Sequence, residues 1–203
     1  MIAILDYGSG NLRSAQRAFE LTDHEVLVTD KIDVALAADG LVVPGVGAFA
    51  ACMEQLVAIN GHEIIRRRVE SGMAILGICV GMQILFDSGT EKGDHKGVGV
   101  LDGQVSRLRA PVLPHIGWNS VEPAKESKLF AGIEKESFYF VHSYAVTQRP
   151  HSAQSDTSRS TYTEYGERFL SAIESGHISA TQFHPEKSGK AGERLIKNWV
   201  ETL

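Results

Sequence analysis

The chain has 203 residues, 43% hydrophobic and 22% charged, with a formal net charge of −5. This length and composition fit one soluble globular domain over 1–203, with a sizeable core. The negative balance gives no bulk electrostatic reason to bind nucleic acid, and no apolar run approaches the ~20 residues that cross a bilayer.

The first residues enter an apolar run at once, with no basic leader. Ile2 to Leu5 reads as a buried strand, followed by the turn-rich loop Asp6-Tyr7-Gly8-Ser9-Gly10-Asn11. The glycines of that loop match neither dinucleotide nor P-loop spacing, so a turn is the reading. Residues 12–21 carry apolar residues at helical intervals, 25–29 form a second strand, and Asp30 is placed to cap a short helix. Leu41-Val42-Val43 is a third strand, running into Pro44-Gly45-Val46-Gly47. Residues 51–71 read as helix with a break near Gly61, and 73–76 as a fourth strand.

Strands alternating with helices predict an α/β fold: a mostly parallel central sheet flanked by helices, with function at the strand carboxyl ends. Beyond Asp87 the texture changes. Short strands at 103–108, 138–144, 163–165 and 169–173 predict a smaller antiparallel region in the second half. Residues 178–183 form another strand and 191–201 a closing amphipathic helix, with Leu195, Ile196 and Trp199 inward. The polar stretch 148–161 shows no periodicity and is assigned no role. Asp94 and His95 read as a solvated loop, since two ligands without companions do not make a metal site.

Gly77-Ile78-Cys79-Val80-Gly81 carries the chemistry. A reactive residue between glycines, after a strand and before an apolar, helix-compatible run at 82–86, is the pattern of a nucleophile elbow. The turn strains the nucleophile, its flanks lack side chains where backbones crowd, and the helix start favours an anion and a lowered thiol pKa. The competing reading is a buried structural cysteine. Two cysteines, Cys52 and Cys79, make no disulfide framework and suit a reducing cytoplasm; a bridge between them would consume the nucleophile.

A thiol nucleophile needs a base, and the base needs an orienting acceptor. Of eight histidines, His24, His62, His95, His151 and His177 lie in polar or turn contexts. His115 and His142 have no nearby acid. His184 has Glu186 two residues on, across a stiffening Pro185, which makes Cys79, His184 and Glu186 the candidate triad. The oxyanion donors would be the Val80 N–H and one from Gly45, Val46 or Gly47, where a peptide flip could switch the hole.

Gly-x-Cys-x-Gly-x-Gln at 77–83 with His-Pro-Glu at 184–186 resembles the class I glutamine amidotransferases. Four further stretches resemble one branch, the glutaminase subunits of imidazole glycerol phosphate synthases: 6–14, 43–49, 114–119 and 139–144. The resemblance implies glutamine hydrolysis through a cysteine thioester, with ammonia passed to a cyclase subunit built as a (β/α)8 barrel, in a heterodimer. It implies that Gln83 contacts glutamine, that the backbone at Ser143 and Tyr144 holds its α-carboxylate, and that Glu91 faces its ammonium. No step requires a metal or organic cofactor. Free ammonia protonates in water, so the thiol should face a sealed interface. Trp118 is the candidate anchor there, against a core tryptophan as the alternative, with Asn11 and Tyr144 as secondary candidates. Glutaminases serving vitamin B6, anthranilate or guanylate synthesis share the triad. A cysteine esterase or a regulatory module with a vestigial triad are the remaining alternatives.

Overall fold

The computed structural model describes residues 1–148 and 158–203. The chain opens with β1 (Ile2–Leu5), α1 (Leu12–Phe19), β2 (Val26–Thr29), α2 (Ile32–Ala37) and β3 (Gly40–Gly45). It continues through α3 (Phe49–Ala58), α4 (Gly61–Glu70), β4 (Ala74–Cys79) and α5 (Val80–Gln83). Six short strands follow: β5 (Phe86–Gly89), β6 (His95–Lys96), β7 (Leu101–Arg107), β8 (His115–Ser120), β9 (Ser137–His142) and β10 (Tyr144–Val146). The end of the chain is β11 (Arg159–Tyr165), β12 (Glu167–Ser175), β13 (Ile178–Thr181), a 3₁₀ turn over Pro185–Lys187 and α6 (Gly189–Val200).

Seven strands form the central sheet in the order β11-β12-β13-β4-β3-β1-β2. The five from β13 to β2 are mutually parallel, and β11 and β12 pair antiparallel at one edge. Helices cover the parallel strands, so β1 and β3 are buried along their whole length and read as continuous apolar runs. Because the strands point one way, the segments after β1, β3, β4 and β13 emerge along one rim. Asp6, Val46, Cys79 and His184 belong to those segments. A four-stranded sheet (β10-β7-β5-β6) and the β8–β9 pair make up the smaller, largely antiparallel part.

Strand β9 ties the two parts together. Its alternation turns Phe138, Phe140 and His142 inward, while Tyr139 and Val141 face the other way. Phe138 stacks on Phe183 at 4.3 Å between ring centroids, and Phe140 meets Phe169 and Phe183 edge-on at 5.9 and 5.5 Å. Removing such a ring costs about 3–5 kcal/mol, so this cluster anchors the strand that walls the site described below.

Two expectations are corrected. The run 82–86 is not a helix after the elbow: α5 is one turn long and Phe86 already belongs to β5. Ile84, Leu85 and Phe86 are buried on all sides, and their carbonyls accept from Val98, from Val100 and Leu101, and from Gly99. An apolar run without a polar face does not distinguish helix from other buried backbone. Asp30 does not cap α2. Lys31 occupies the N-cap with no side-chain cap, and the Lys31 N–H donates to Thr29 Oγ1 instead. Of the stretch 148–161, and with it His151, residues 149–157 lie outside the described residues.

Candidate active site

Cys79 ends β4 with φ 56° and ψ −114°, a conformation L-residues avoid. The strain is imposed by packing. β3 and β4 pair through Gly45 opposite Cys79, and the chain leaving Cys79 turns straight back over β3. A Cβ on Gly81 would lie 1.9 Å from the Val43 carbonyl oxygen, and one on Gly45 would lie 2.4 Å from Gly81 N. No side chain fits at either position, so the elbow sits directly on its neighbouring strand. The thiol thereby projects into a cavity of about 290 Å³.

The opposite wall is the end of β9 with residues 143 and 144, and the floor carries His184. His184 is fastened to β9 through its backbone: its N–H donates to the Tyr139 carbonyl (2.9 Å) and its carbonyl accepts from Ser188 Oγ (2.7 Å). Ser188 Oγ in turn accepts from the Tyr139 N–H (3.0 Å). The 3₁₀ turn brings Glu186 back so that Oε1 lies 2.7 Å from His184 Nδ1, both side chains being nearly fully buried. That leaves Nε2 for the thiol. Burial alone would depress the imidazole pKa. Hydrogen bonds to Cys79 and Glu186, and their negative charges, outweigh it and raise the pKa to about 9. At neutral pH His184 therefore carries its proton, the state that stabilises a thiolate. Both cysteines are free.

The remaining candidates divide by place. Val80 opens α5 beside the thiol, and Val46 and Gly47 line the cavity, whereas Gly45 lies beneath the elbow in β3. The Val46 N–H points away from the cavity chemistry: it donates to Ser9 Oγ (3.2 Å), which donates back to the Val46 carbonyl (3.0 Å). Cys52 Sγ also donates to that carbonyl (3.2 Å). Glu91, Ser143 and Tyr144 line the cavity, and Glu91 Oε2 accepts the Phe49 N–H at the start of α3 (3.0 Å). Gln83 is buried, and its amide nitrogen donates to the Tyr144 carbonyl and to Gln182 Oε1, each at 2.9 Å. Trp118 and Asn11 lie outside the cavity lining. Asn11 caps α1, accepting the Ser14 N–H, and Trp118 is 59% exposed on the outer face of β8, which rejects the core-tryptophan alternative.

Four participants escape a reading of motifs. Gln182 Nε2 approaches Cys79 Sγ at 3.9 Å from the segment that joins β13 to His184. Lys187 lines the cavity directly after Glu186. Ser9, read only as part of a turn, grips Val46. His142 lines the cavity and is bonded to His115 (3.1 Å). A larger groove of about 650 Å³, bounded by Glu122, Lys125, Arg159 and Arg168, is lined by no thiol or imidazole among the described residues. Chemistry, not size, therefore selects the cavity at Cys79.

The model of the family "Glutamine amidotransferase class-I" matches residues 3–203. A protein of Nocardia farcinica named imidazole glycerol phosphate synthase subunit HisH is 54% identical over all of this chain and 98% of its own length. Its namesake in Corynebacterium diphtheriae is 53% identical over all of this chain and 99% of its own. Among solved structures, one titled "Crystal structure of glutamine amidotransferase" superposes with a TM-score of 0.77 at 19% identity, covering 98% of this chain and 97% of that one. The PurLQS structure from Thermotoga maritima gives 0.69 at 19%, covering 99% and 97%; these two likenesses are of fold alone. By its family match, its close relatives and its architecture together, the chain belongs to the class I glutamine amidotransferases.

Proposed function

We propose that the chain is the glutaminase subunit of an imidazole glycerol phosphate synthase, releasing ammonia from glutamine and passing it to a (β/α)8 cyclase subunit. The observation that carries the chemistry is Cys79, strained on its elbow, facing a buried His184–Glu186 pair across one small cavity. The identity of the relatives carries the choice of branch.

In the proposed cycle the Cys79 thiolate attacks the glutamine carboxamide carbon while His184 holds the proton. The oxyanion is met by the Val80 N–H and by a donor of the Gly45–Val46–Gly47 segment, such donors being worth about 3–4 kcal/mol each. In the present conformation the Val46 N–H is spent on Ser9, so that peptide must rotate before it can serve. The imidazolium then gives its proton to the departing nitrogen, ammonia leaves, and a thioester remains. Neutral His184 takes a proton from water, hydroxide attacks the thioester, and glutamate and thiolate are released. Gln83, Glu91, Ser143 and Tyr144 form the proposed glutamine pocket, with Glu91 supplying charge for the ammonium.

The cyclase is proposed to dock over β8. Val112, Ile116 and Trp118 are 66%, 59% and 59% exposed, an apolar group of the kind that marks interaction sites. Cys79→Ala should abolish glutamine-dependent formation of imidazole glycerol phosphate in the reconstituted complex and leave the ammonia-dependent reaction intact. Loss of both would defeat the division of labour.

A further inference from the structure

We propose that His115 and His142 form a neutral relay of fixed tautomers that positions the 143–144 backbone of the glutamine pocket from β8. The inference rests on the glutaminase reading and deepens it. The two histidines oppose one another in the β8–β9 ladder, and both are buried. His142 Nδ1 lies 3.0 Å from the Tyr144 carbonyl oxygen, His115 Nδ1 lies 3.1 Å from His142 Nε2, and Asn119 Nδ2 lies 3.3 Å from His115 Nε2.

The direction of each bond follows from its last acceptor. A carbonyl only accepts, so His142 Nδ1 carries hydrogen, and a neutral ring then offers a lone pair at Nε2. His115 Nδ1 must donate to it, which leaves His115 Nε2 to accept from Asn119. Asn119 is oriented independently: Nδ2 also donates to the Glu164 carbonyl (3.1 Å) and Oδ1 accepts the Ser120 N–H (2.9 Å). The chain closes only while both rings are uncharged, because a proton on His142 Nε2 would face the His115 N–H. Burial supports this, lowering His142 to about 3 and His115 to about 4. The His115 ring is held in plane between Tyr165 and Phe140, at 3.9 and 4.9 Å between centroids.

The Tyr144 carbonyl is the junction. It accepts from His142 and from Gln83 Nε2, which also reaches Gln182 Oε1, and Gln182 Nε2 approaches Cys79 Sγ. Two donors on one oxygen oppose rotation of the Tyr144–Ala145 peptide, and so fix Tyr144, which lines the cavity facing the thiol. His142 and His115 act through the backbone and are positioning residues.

The test uses the reconstituted complex with the cyclase and its nucleotide ligand, and glutamine as the varied substrate. His142→Phe and His115→Phe should raise KM for glutamine about tenfold with kcat within about threefold, the size of one lost buried hydrogen bond. His142→Asn, whose amide nitrogen replaces Nδ1–H, should return KM to within about threefold of the parent. Unchanged KM in a folded His142→Phe complex overturns the relay. An independent readout needs no variant: nitrogen-15 spectra of the imidazoles should show both rings as Nδ1–H tautomers, unchanged from about pH 8 to about pH 5. A ring protonated at Nε2 within that range overturns it too. If the parent complex leaves glutamine intact, the proposed function fails, and the spectra still judge the tautomers.

Discussion

Gly81→Ala tests why the nucleophile stands where it does. Gly81 lies within α5 and has no positive φ, so alanine is conformationally acceptable there. The obstacle is purely spatial. The added methyl would meet the Val43 carbonyl oxygen at 1.9 Å, with the Val43 and Pro44 carbonyl carbons at 2.8 and 3.0 Å. Relief requires moving the elbow off the central strand by about 1 Å, since contacts under 3.0 Å are essentially never seen. Neither side is a flexible side-chain tip. The cost should reach or exceed the upper end of the usual overpacking penalty, about 3 kcal/mol, a large part of a typical 5–15 kcal/mol stability. Gly132→Ala is the control, because φ is +78° there and nothing lies within 4 Å; it should cost only about 1–2 kcal/mol, from the left-handed backbone. Urea unfolding of both variants measures the difference. A Gly81→Ala chain as stable as Gly132→Ala, with thiol reactivity intact, would refute the claim that crowding against β3 sets the elbow.

Three further outcomes follow from the site. Because the folded pKa of His184 is raised from 6.5 to about 9, its contribution, on the order of 3 kcal/mol, is complete below pH 6.5 and disappears as pH climbs through 9. Glu186→Gln should flatten that loss in unfolding measured between about pH 6 and about pH 10, and equal losses in both proteins would contradict the assignment. Ser9→Ala frees the N–H of the Gly45–Val46 peptide, while the Val46 carbonyl keeps the Cys52 thiol, and should raise glutamine hydrolysis without the cyclase about tenfold; an unchanged basal rate would remove Ser9 as a latch. Trp118→Ala should weaken cyclase binding by about 2 kcal/mol in a calorimetric titration while thermal unfolding stays unchanged, and undiminished affinity would move the docking face elsewhere.

Strands β1 and β3 were legible because burial on both faces leaves an uninterrupted apolar run: β1 spans the residues that its sequence indicates. The candidate triad was legible because Cys79 ends β4 and His184 closely follows β13, and because Pro185 opens the 3₁₀ turn that brings Glu186 back to His184. What the sequence concealed depends on register and depth. Nothing within a few residues of His115 shows that His142 will lie opposite it, since that pairing is set by how β8 and β9 align. Ser9 looks like any turn serine until β3 brings Val46 against it. The brevity of α5 was hidden for a similar reason, the buried run 84–86 having no polar face to expose its period.

Strand β8 carries both proposed roles, docking and relay, separated by a single pleat. Ile116 and Trp118 project outward, while His115 and Asn119 turn toward the relay. Deleting or duplicating one residue upstream of Ile116 would exchange the faces, driving an indole into the interior and an imidazole into water. The proposed docking face and the proposed glutamine pocket would then be lost together. Length changes in this segment would thus strike both proposed roles at once, whereas a substitution at an outward position touches the proposed docking face alone.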